Sequence, residues 1–166
     1  MKIKLGKTEV VHFVGIGGIG MSGLSLIMKS KGFKVQGSDI SLNKNVERLK
    51  KQKIKVFIGQ KKQNLKNVTI VVISSAIKKN NPEILEAKRK NLPIISRGKM
   101  LAHIVSLMKN IVVVGSHGKT TTTSLVASIF QYTKLDPTII NGGVINSIKD
   151  TAKLGKSDWS ILEADE

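Results

Sequence analysis

Two short glycine-rich stretches carry the residues of this chain that could do chemistry. Gly15-Ile16-Gly17-Gly18-Ile19-Gly20 follows Val10–Val14, an apolar, β-branched run of strand length, and opens a helical stretch, Ile19–Lys31. In that setting Gly15, Gly17, Gly18 and Gly20 permit a tight turn. They also let backbone amides approach a diphosphate, while the helix N-terminus adds its partial positive charge. Asp39 lies nineteen residues beyond Gly20, just past a second short strand at Phe33–Gly37, where an acid can accept from a ribose hydroxyl. The bland alternative is a helix–strand packing turn. The motif does not choose between NAD and another diphosphate nucleotide.

Gly115-Ser116-His117-Gly118-Lys119-Thr120 follows a second apolar strand, Asn110–Val114. It has the form of a triphosphate-binding loop. Amides cradle phosphates, Lys119 reaches the β- and γ-phosphates, and the hydroxyl of Thr120 reaches Mg²⁺. Only the shorter G-x-x-G-K-T is present, since Val113 stands where the longer form has its first glycine. Thr120, Thr121, Thr122 and Thr123 are unusual at a helix start unless their hydroxyls serve something. Glu163-Ala164-Asp165-Glu166 follows the strand Trp159–Leu162, and an acid there is the usual second support for Mg²⁺; the alternative is a solvated acidic stretch. Ser74 and Ser75 end the strand Thr69–Ile73 and would face the first glycine loop or form a plain turn. His117 would touch a phosphate or a substrate carboxylate, or only cap its loop. His12 and His103, mid-strand and mid-helix, read as structural.

The elements that must position these residues alternate. Strands at Val10–Val14, Phe33–Gly37, Lys55–Ile58, Thr69–Ile73 and Leu92–Ile95 are separated by helices at Ile19–Lys31, Asn43–Lys51, Pro82–Lys90 and Lys99–Met108. Short β-α-β-α links predict a doubly wound parallel sheet. The pattern then restarts, with Asn110–Val114, a helix at Lys119–Tyr132, a strand at Pro137–Ile140, a turn at Asn141-Gly142-Gly143 and the strand Trp159–Leu162. Two domains are expected, 1–108 and 109–166.

Composition narrows the function classes. The 166 residues are 40% apolar and contain no cysteine, which excludes a disulfide scaffold, a thiolate metal site and cysteine catalysis. The net charge is +17, but only three of the 28 basic residues are arginine: Arg48, Arg89 and Arg97. Lysines dispersed along the whole chain fit an AT-rich coding bias better than a nucleic-acid face, so no specific nucleic acid is expected. The uncharged run Val10–Met28 behind Lys2, Lys4 and Lys7 has the order of a signal peptide, but its five glycines suit a strand, turn and helix. A cytoplasmic protein without membrane insertion is expected.

The motifs together resemble the Mur ligase family. The resemblance rests on Gly15–Gly20 with Met21-Ser22-Gly23, Gly37-Ser38-Asp39, Ser74-Ser75-Ala76-Ile77-Lys78, Gly115–Thr123, Leu135-Asp136-Pro137-Thr138, Asn141-Gly142-Gly143 and Glu163–Glu166, in family order. It implies an α/β fold, a Rossmann-like parallel-sheet domain for a UDP-linked substrate followed by the start of a P-loop-type α/β ATP-binding domain. Gly15, Gly17, Gly18, Gly20, Asp39, Ser74 and Ser75 would then face the UDP substrate. Gly115, Ser116, His117, Gly118, Lys119, Thr120 and Thr121 would bind ATP. Lys119 and His117 would be catalytic, and Thr120 and Glu163 would hold Mg²⁺. Histidine in the second loop is similar to the members that join L-alanine to UDP-N-acetylmuramate, through an acyl phosphate, and to those that recycle murein peptides; the Gly15–Gly23 opening favours the former.

The family's chains have three domains, so the resemblance covers a first third only. It implies a truncated second domain whose strands 110–114 and 159–162 lack neighbours, and no turnover by these residues alone. An NAD-type dinucleotide-binding dehydrogenase or regulatory module would use the first loop but leave the second unexplained.

Overall fold

The computed structural model describes residues 6–133, 135–145, 150–153, 155 and 157–164. The chain divides into two compact units, Met1–His103 and Ile104–Glu166.

In the first unit, strands β1 (Val10–Val14), β2 (Lys34–Asp39), β3 (Lys55–Ile58), β4 (Ile70–Ile73) and β5 (Ile94–Ser96) alternate with helices α1 (Ile19–Ser30), α2 (Lys44–Lys51) and α3 (Pro82–Arg89). A 3-10 turn at Lys62–Leu65, not anticipated from the sequence, precedes β4. The five strands form one sheet in the order β3-β2-β1-β4-β5, all parallel. A strand flanked on both sides and covered on both faces is expected to be largely apolar. In β1, Val11, Phe13 and Val14 are fully buried, and so is one polar residue, His12. On the face that carries Val14, Leu65, Val68, Val71 and Ala87 close the core.

Local chemistry sets the helix ends. Asn43 caps α2 by accepting from the Val46 amide at 3.0 Å. Asn81 caps α3 by accepting from the Glu83 amide at 2.9 Å, with Pro82 in the first turn. Three helices end on a left-handed residue: Gly32 after α1, Lys53 after α2 and Asn91 after α3. Helix α4 runs over Arg97–Val105, two residues earlier than the expected start, because the Ser96 hydroxyl accepts from the Lys99 amide at 3.3 Å.

The second unit holds β6 (Lys109–Val114), α5 (Lys119–Tyr132), β7 (Thr138–Ile145), β8 (Asp150–Lys153) and β9 (Trp159–Ala164). Its sheet has the order β6-β9-β7-β8, with β7 and β8 antiparallel and the other pairs parallel. Two expectations are corrected here. The strands at 110–114 and 159–162 do not lack neighbours: β6 and β9 pair from Lys109↔Trp159 to Val114↔Ala164, and β9 also pairs with β7. Residues 141–143 do not form a turn but lie within β7, where the register with β8 shifts between Ile140 and Ile145; glycines inside a strand accommodate such an irregularity. The sheet is mixed, because the short strand β8 returns antiparallel on its edge. Ala127, Ile139 and Ile161 form the small core. No helix among the described residues is long and apolar enough to cross a membrane.

Candidate functional site

The parallel sheet of the first unit puts the β1–α1, β2–α2 and β4–α3 connections at one edge, where its strands end. The β1–α1 loop is pinned from beneath. The carbonyl of Ser38 accepts from the amides of Gly15 (2.8 Å) and Ile16 (2.9 Å), and the carbonyl of Gly15 accepts from Gly18 at 3.1 Å. The Gly17 amide donates to Asp39 Oδ2 at 2.8 Å. Gly15 sits at φ +75°, a conformation open to glycine. A Cβ on Gly17 would fall within 2.8 Å of Asp39, Asn43 and Val46 side-chain atoms, so no larger residue fits there.

The loop's first four amides are therefore used internally. Those that precede the first helical bond, Ser22 N–H to Gly18 carbonyl, belong to Ile19, Gly20 and Met21. No side chain caps this end of α1, and its first turn has no acidic residue. The amide donors left open at the first loop are these three helical ones rather than those of the residues before them. Asp39, expected from the sequence to face a ribose, is buried (7% exposed). Both of its oxygens accept main-chain amides, the second from Ser41 at 3.3 Å. Ser74 is half-buried and Ser75 exposed, in the turn after β4. That turn lies beside the loop: a Cβ on Gly15 would sit 3.0 Å from Ile77 Cδ1.

Beneath the loop lies a buried polar cluster that the sequence reading missed. The Glu83 carboxylate is fully buried. It accepts from the Ser38 hydroxyl at 2.6 Å and from Asn64 Nδ2 at 2.6 Å, and it lies 3.4 Å from Nε2 of the equally buried His12. Gln36 Nε2 lies 3.2 Å from His12 Nδ1 and donates to the Asn64 carbonyl at 2.9 Å. Ser38 thus joins this cluster through its hydroxyl and the glycine loop through its carbonyl. An acid in the first turn of a helix, behind Asn-Pro, reads in sequence as ordinary capping chemistry. Only the packing of α3 against the 3-10 turn and the sheet turns Glu83 inward. His12, expected to be structural, belongs to this cluster.

In the second unit the loop between β6 and α5 contains Gly115, Ser116, His117 and Gly118, with Gly118 at φ +74°. The first helical bond of α5 runs from Thr122 N–H to the Gly118 carbonyl, so the amides of Lys119, Thr120 and Thr121 precede it. No side chain caps α5, and its first turn has no acid. Lys119 Nζ donates to the Gly115 carbonyl at 2.8 Å, curling back over the loop. His117 and Ser116 are exposed, with Nδ1 and Oγ 3.3 Å apart. The pairing of β6 with β9 sets Glu163 opposite Val113, two residues before Gly115. Thr120 is exposed at the helix start and Glu163 is half-buried. Asp165 and Glu166 lie outside the described residues.

Thr120 and Glu163 are a hydroxyl and a carboxylate, the hard oxygen donors that Mg²⁺ takes. One or two protein oxygens suffice for an ion that keeps its waters and binds substrate phosphates. No cluster of three or more His, Cys, Asp or Glu able to hold a metal occurs among the described residues.

Known proteins share this pattern. UDP-N-acetylmuramate–L-alanine ligase of Pelagibacter ubique is 75% identical over the whole chain, which spans 36% of that protein. The crystal structure of UDP-N-acetylmuramate-alanine ligase from Thermotoga maritima superposes with a TM-score of 0.74 at 32% identity, over 93% of this chain and 36% of the other. That of UDP-N-acetylmuramate:L-alanyl-gamma-D-glutamyl-meso-diaminopimelate ligase from Neisseria meningitides gives 0.77 at 30% identity, over 95% and 53%. The chain thus spans about a third of the length of the curated relative it matches. The model of the Mur ligase family, catalytic domain, matches residues 10–109, well over half of the sequence, and with the fold and both loops in place the chain belongs to the Mur ligase family.

Proposed function

We propose that this chain supplies the UDP-N-acetylmuramate-binding domain (1–108) and the ATP phosphate loop (within 109–166) of a ligase that joins L-alanine to UDP-N-acetylmuramate, a step of peptidoglycan precursor synthesis. The observation that carries the proposal is the pair of uncapped helix starts, each behind a strand and a glycine loop, the second with Lys119 at its head. A dinucleotide-binding dehydrogenase module has no use for that second loop. The 75% identity to a relative named for the alanine-adding reaction supports this member over a murein-peptide ligase.

In this reading the first three amides of α1 hold the diphosphate of the UDP-sugar, with Ser74 and Ser75 facing the same ligand. Asp39 and Ser38 keep the loop in shape. The amides of Lys119, Thr120 and Thr121 hold the triphosphate of ATP. Lys119 leaves the Gly115 carbonyl to neutralise charge as the γ-phosphoryl passes to the lactyl carboxylate, giving an acyl phosphate. The amine of L-alanine then attacks that carbonyl and phosphate leaves. His117, exposed at the loop tip, meets a phosphate oxygen or the reacting carboxylate. Thr120 and Glu163 would hold Mg²⁺, which when bound offsets phosphate charge. Catalysis of this kind is positioning and charge neutralisation rather than covalent chemistry by the protein.

Calorimetric titrations with UDP-N-acetylmuramate, Mg·ATP and NADH test the proposal. UDP-N-acetylmuramate binds and NADH does not. Lys119→Ala weakens Mg·ATP about tenfold to a hundredfold, as expected for loss of a charged hydrogen bond, and leaves the UDP-sugar untouched. Binding of NADH in place of UDP-N-acetylmuramate overturns it.

A further inference from the structure

Arg97 opens α4, and its guanidinium lies on the first turn of α1. A Cβ added to Gly20 would sit 2.8 Å from Arg97 Nη1 and 3.2 Å from Cζ. A Cβ there would push the guanidinium aside, so the bare Cα of glycine lets the arginine lie against the turn. Among the described residues the Arg97 side chain makes no hydrogen bond and no ion pair, whereas Arg89 is held by Glu86 and Arg48 has a partner. The first turns of α1 and α4 both lack an acidic residue.

A cation at the positive end of a helix is electrostatically unfavourable. Here it meets two such ends, its own and that of α1, with no anionic side chain of either first turn to offset them. The arrangement is disfavoured in the empty protein and becomes favourable when an anion sits between the guanidinium and the α1 amides. Gly20 is the second residue of α1, so this point coincides with the amides of Ile19, Gly20 and Met21.

We propose that Arg97 is a substrate-binding residue, which clamps the diphosphate of the UDP-linked substrate against the first turn of α1, and that residue 20 is glycine in order to seat it. The inference rests on the reading of the first loop as a UDP site. A planar guanidinium offers two parallel donors to phosphate oxygens, which an ammonium does not. Arg97 therefore reads the phosphates and not the base or the sugar.

The test is a double-mutant cycle on the whole chain, with UDP as the probe and uridine, followed by NMR, as the phosphate-free control. Arg97→Ala weakens UDP about tenfold to a hundredfold and leaves uridine unchanged. Arg97→Lys recovers part of the loss. Gly20→Ala also weakens UDP, but adds little on the Arg97→Ala background, because the seat matters only when the arginine is present. Both positions are open to these changes: Arg97 is exposed, and alanine is the better helix former at residue 20. Chemical denaturation therefore shows each variant at least as stable as the parent. UDP affinity within twofold of the parent in Arg97→Ala overturns the proposal, as does an equal loss for uridine or an additive cycle. A parent chain that binds neither UDP nor UDP-N-acetylmuramate instead overturns the reading beneath it.

Discussion

Removing the carboxylate of Glu83 is the sharpest test of how the first unit is held together. Glu83→Ala leaves the Ser38 hydroxyl and one of the two Asn64 Nδ2 hydrogens with no acceptor (the other keeps the Gly59 carbonyl at 2.9 Å), and His12 without the group 3.4 Å from its Nε2. All of this happens where Glu83, His12 and Ser38 are fully buried, so water cannot step in freely. Each orphaned buried donor costs about 1–3 kcal/mol, and Glu83→Ala orphans two of them. The combined loss is a large share of the roughly 5–15 kcal/mol that holds a typical domain. Glu83→Gln behaves differently. Its amide oxygen can keep the Asn64 bond while its NH₂ donates to Ser38 Oγ, which rotates to accept, so the cost falls to about 1–2 kcal/mol. Ser38→Ala removes one donor and strands one carboxylate oxygen, again at about 1–3 kcal/mol. It keeps the Ser38 carbonyl that pins Gly15 and Ile16, so its UDP affinity stays closer to that of the parent than Glu83→Ala does. Urea unfolding followed by far-UV circular dichroism gives the order Glu83→Ala worst, then Ser38→Ala, then Glu83→Gln. If Glu83→Gln is as damaging as Glu83→Ala, or Glu83→Ala costs under about 1 kcal/mol, the cluster is not the anchor argued here.

Gly37→Ala places a Cβ 2.6 Å from the Phe13 carbonyl oxygen and from Ile16 Cδ1; overpacking of this kind costs about 1–3 kcal/mol and shifts Ile16, which urea unfolding and UDP titration read together. Lys53 holds φ +58°, so Lys53→Gly relieves left-handed strain and stabilises by about 0.5–1 kcal/mol, seen as a raised midpoint in urea. Arg89 donates to both oxygens of Glu86 at 2.8 Å and holds that carboxyl at about 2, below its usual 4.5. The pair's contribution is present above pH 4.5 and is lost as pH falls from 4.5 through 2. Arg89→Ala returns the Glu86 titration toward 4.5 by NMR, and high salt shrinks the difference because the pair is exposed.

The periodic part of the fold was legible in the sequence. β1, β4 and α1 follow directly from continuous apolar runs and glycine punctuation, and the order of elements gave the parallel sheet of the first unit. β8 was not legible: Asp150–Lys153 has no apolar alternation, and it is a strand because β7 offers it an edge. The reading of 141–143 as a turn was misled by the Asn-Gly-Gly triplet, whose local preference is overridden by its place in β7. At the candidate site, the two strand–glycine loop–helix junctions were legible from residue type and spacing. The buried support of the first loop was not, because Glu83 meets Ser38, Asn64 and His12 across long stretches of sequence. Asp39 shows the converse. Its place at the end of β2 was legible, but which atoms its carboxylate meets depends on the close approach of Gly17.

The order β3-β2-β1-β4-β5 also fixes a timetable for synthesis. β1 is made early and stands at the middle of its sheet, yet its partner on one side lies 59 residues on, with Val11 opposite Ile70. At a ribosomal pace of about 5–20 residues per second, that strand follows about 3–12 s later. A nascent β1–α1–β2 segment must wait through this interval with one side of Val11–Val14 unpaired. The apolar surface that makes β1 a sound central strand in the finished unit is then a sticky edge at the ribosome exit, where holding chaperones would engage it.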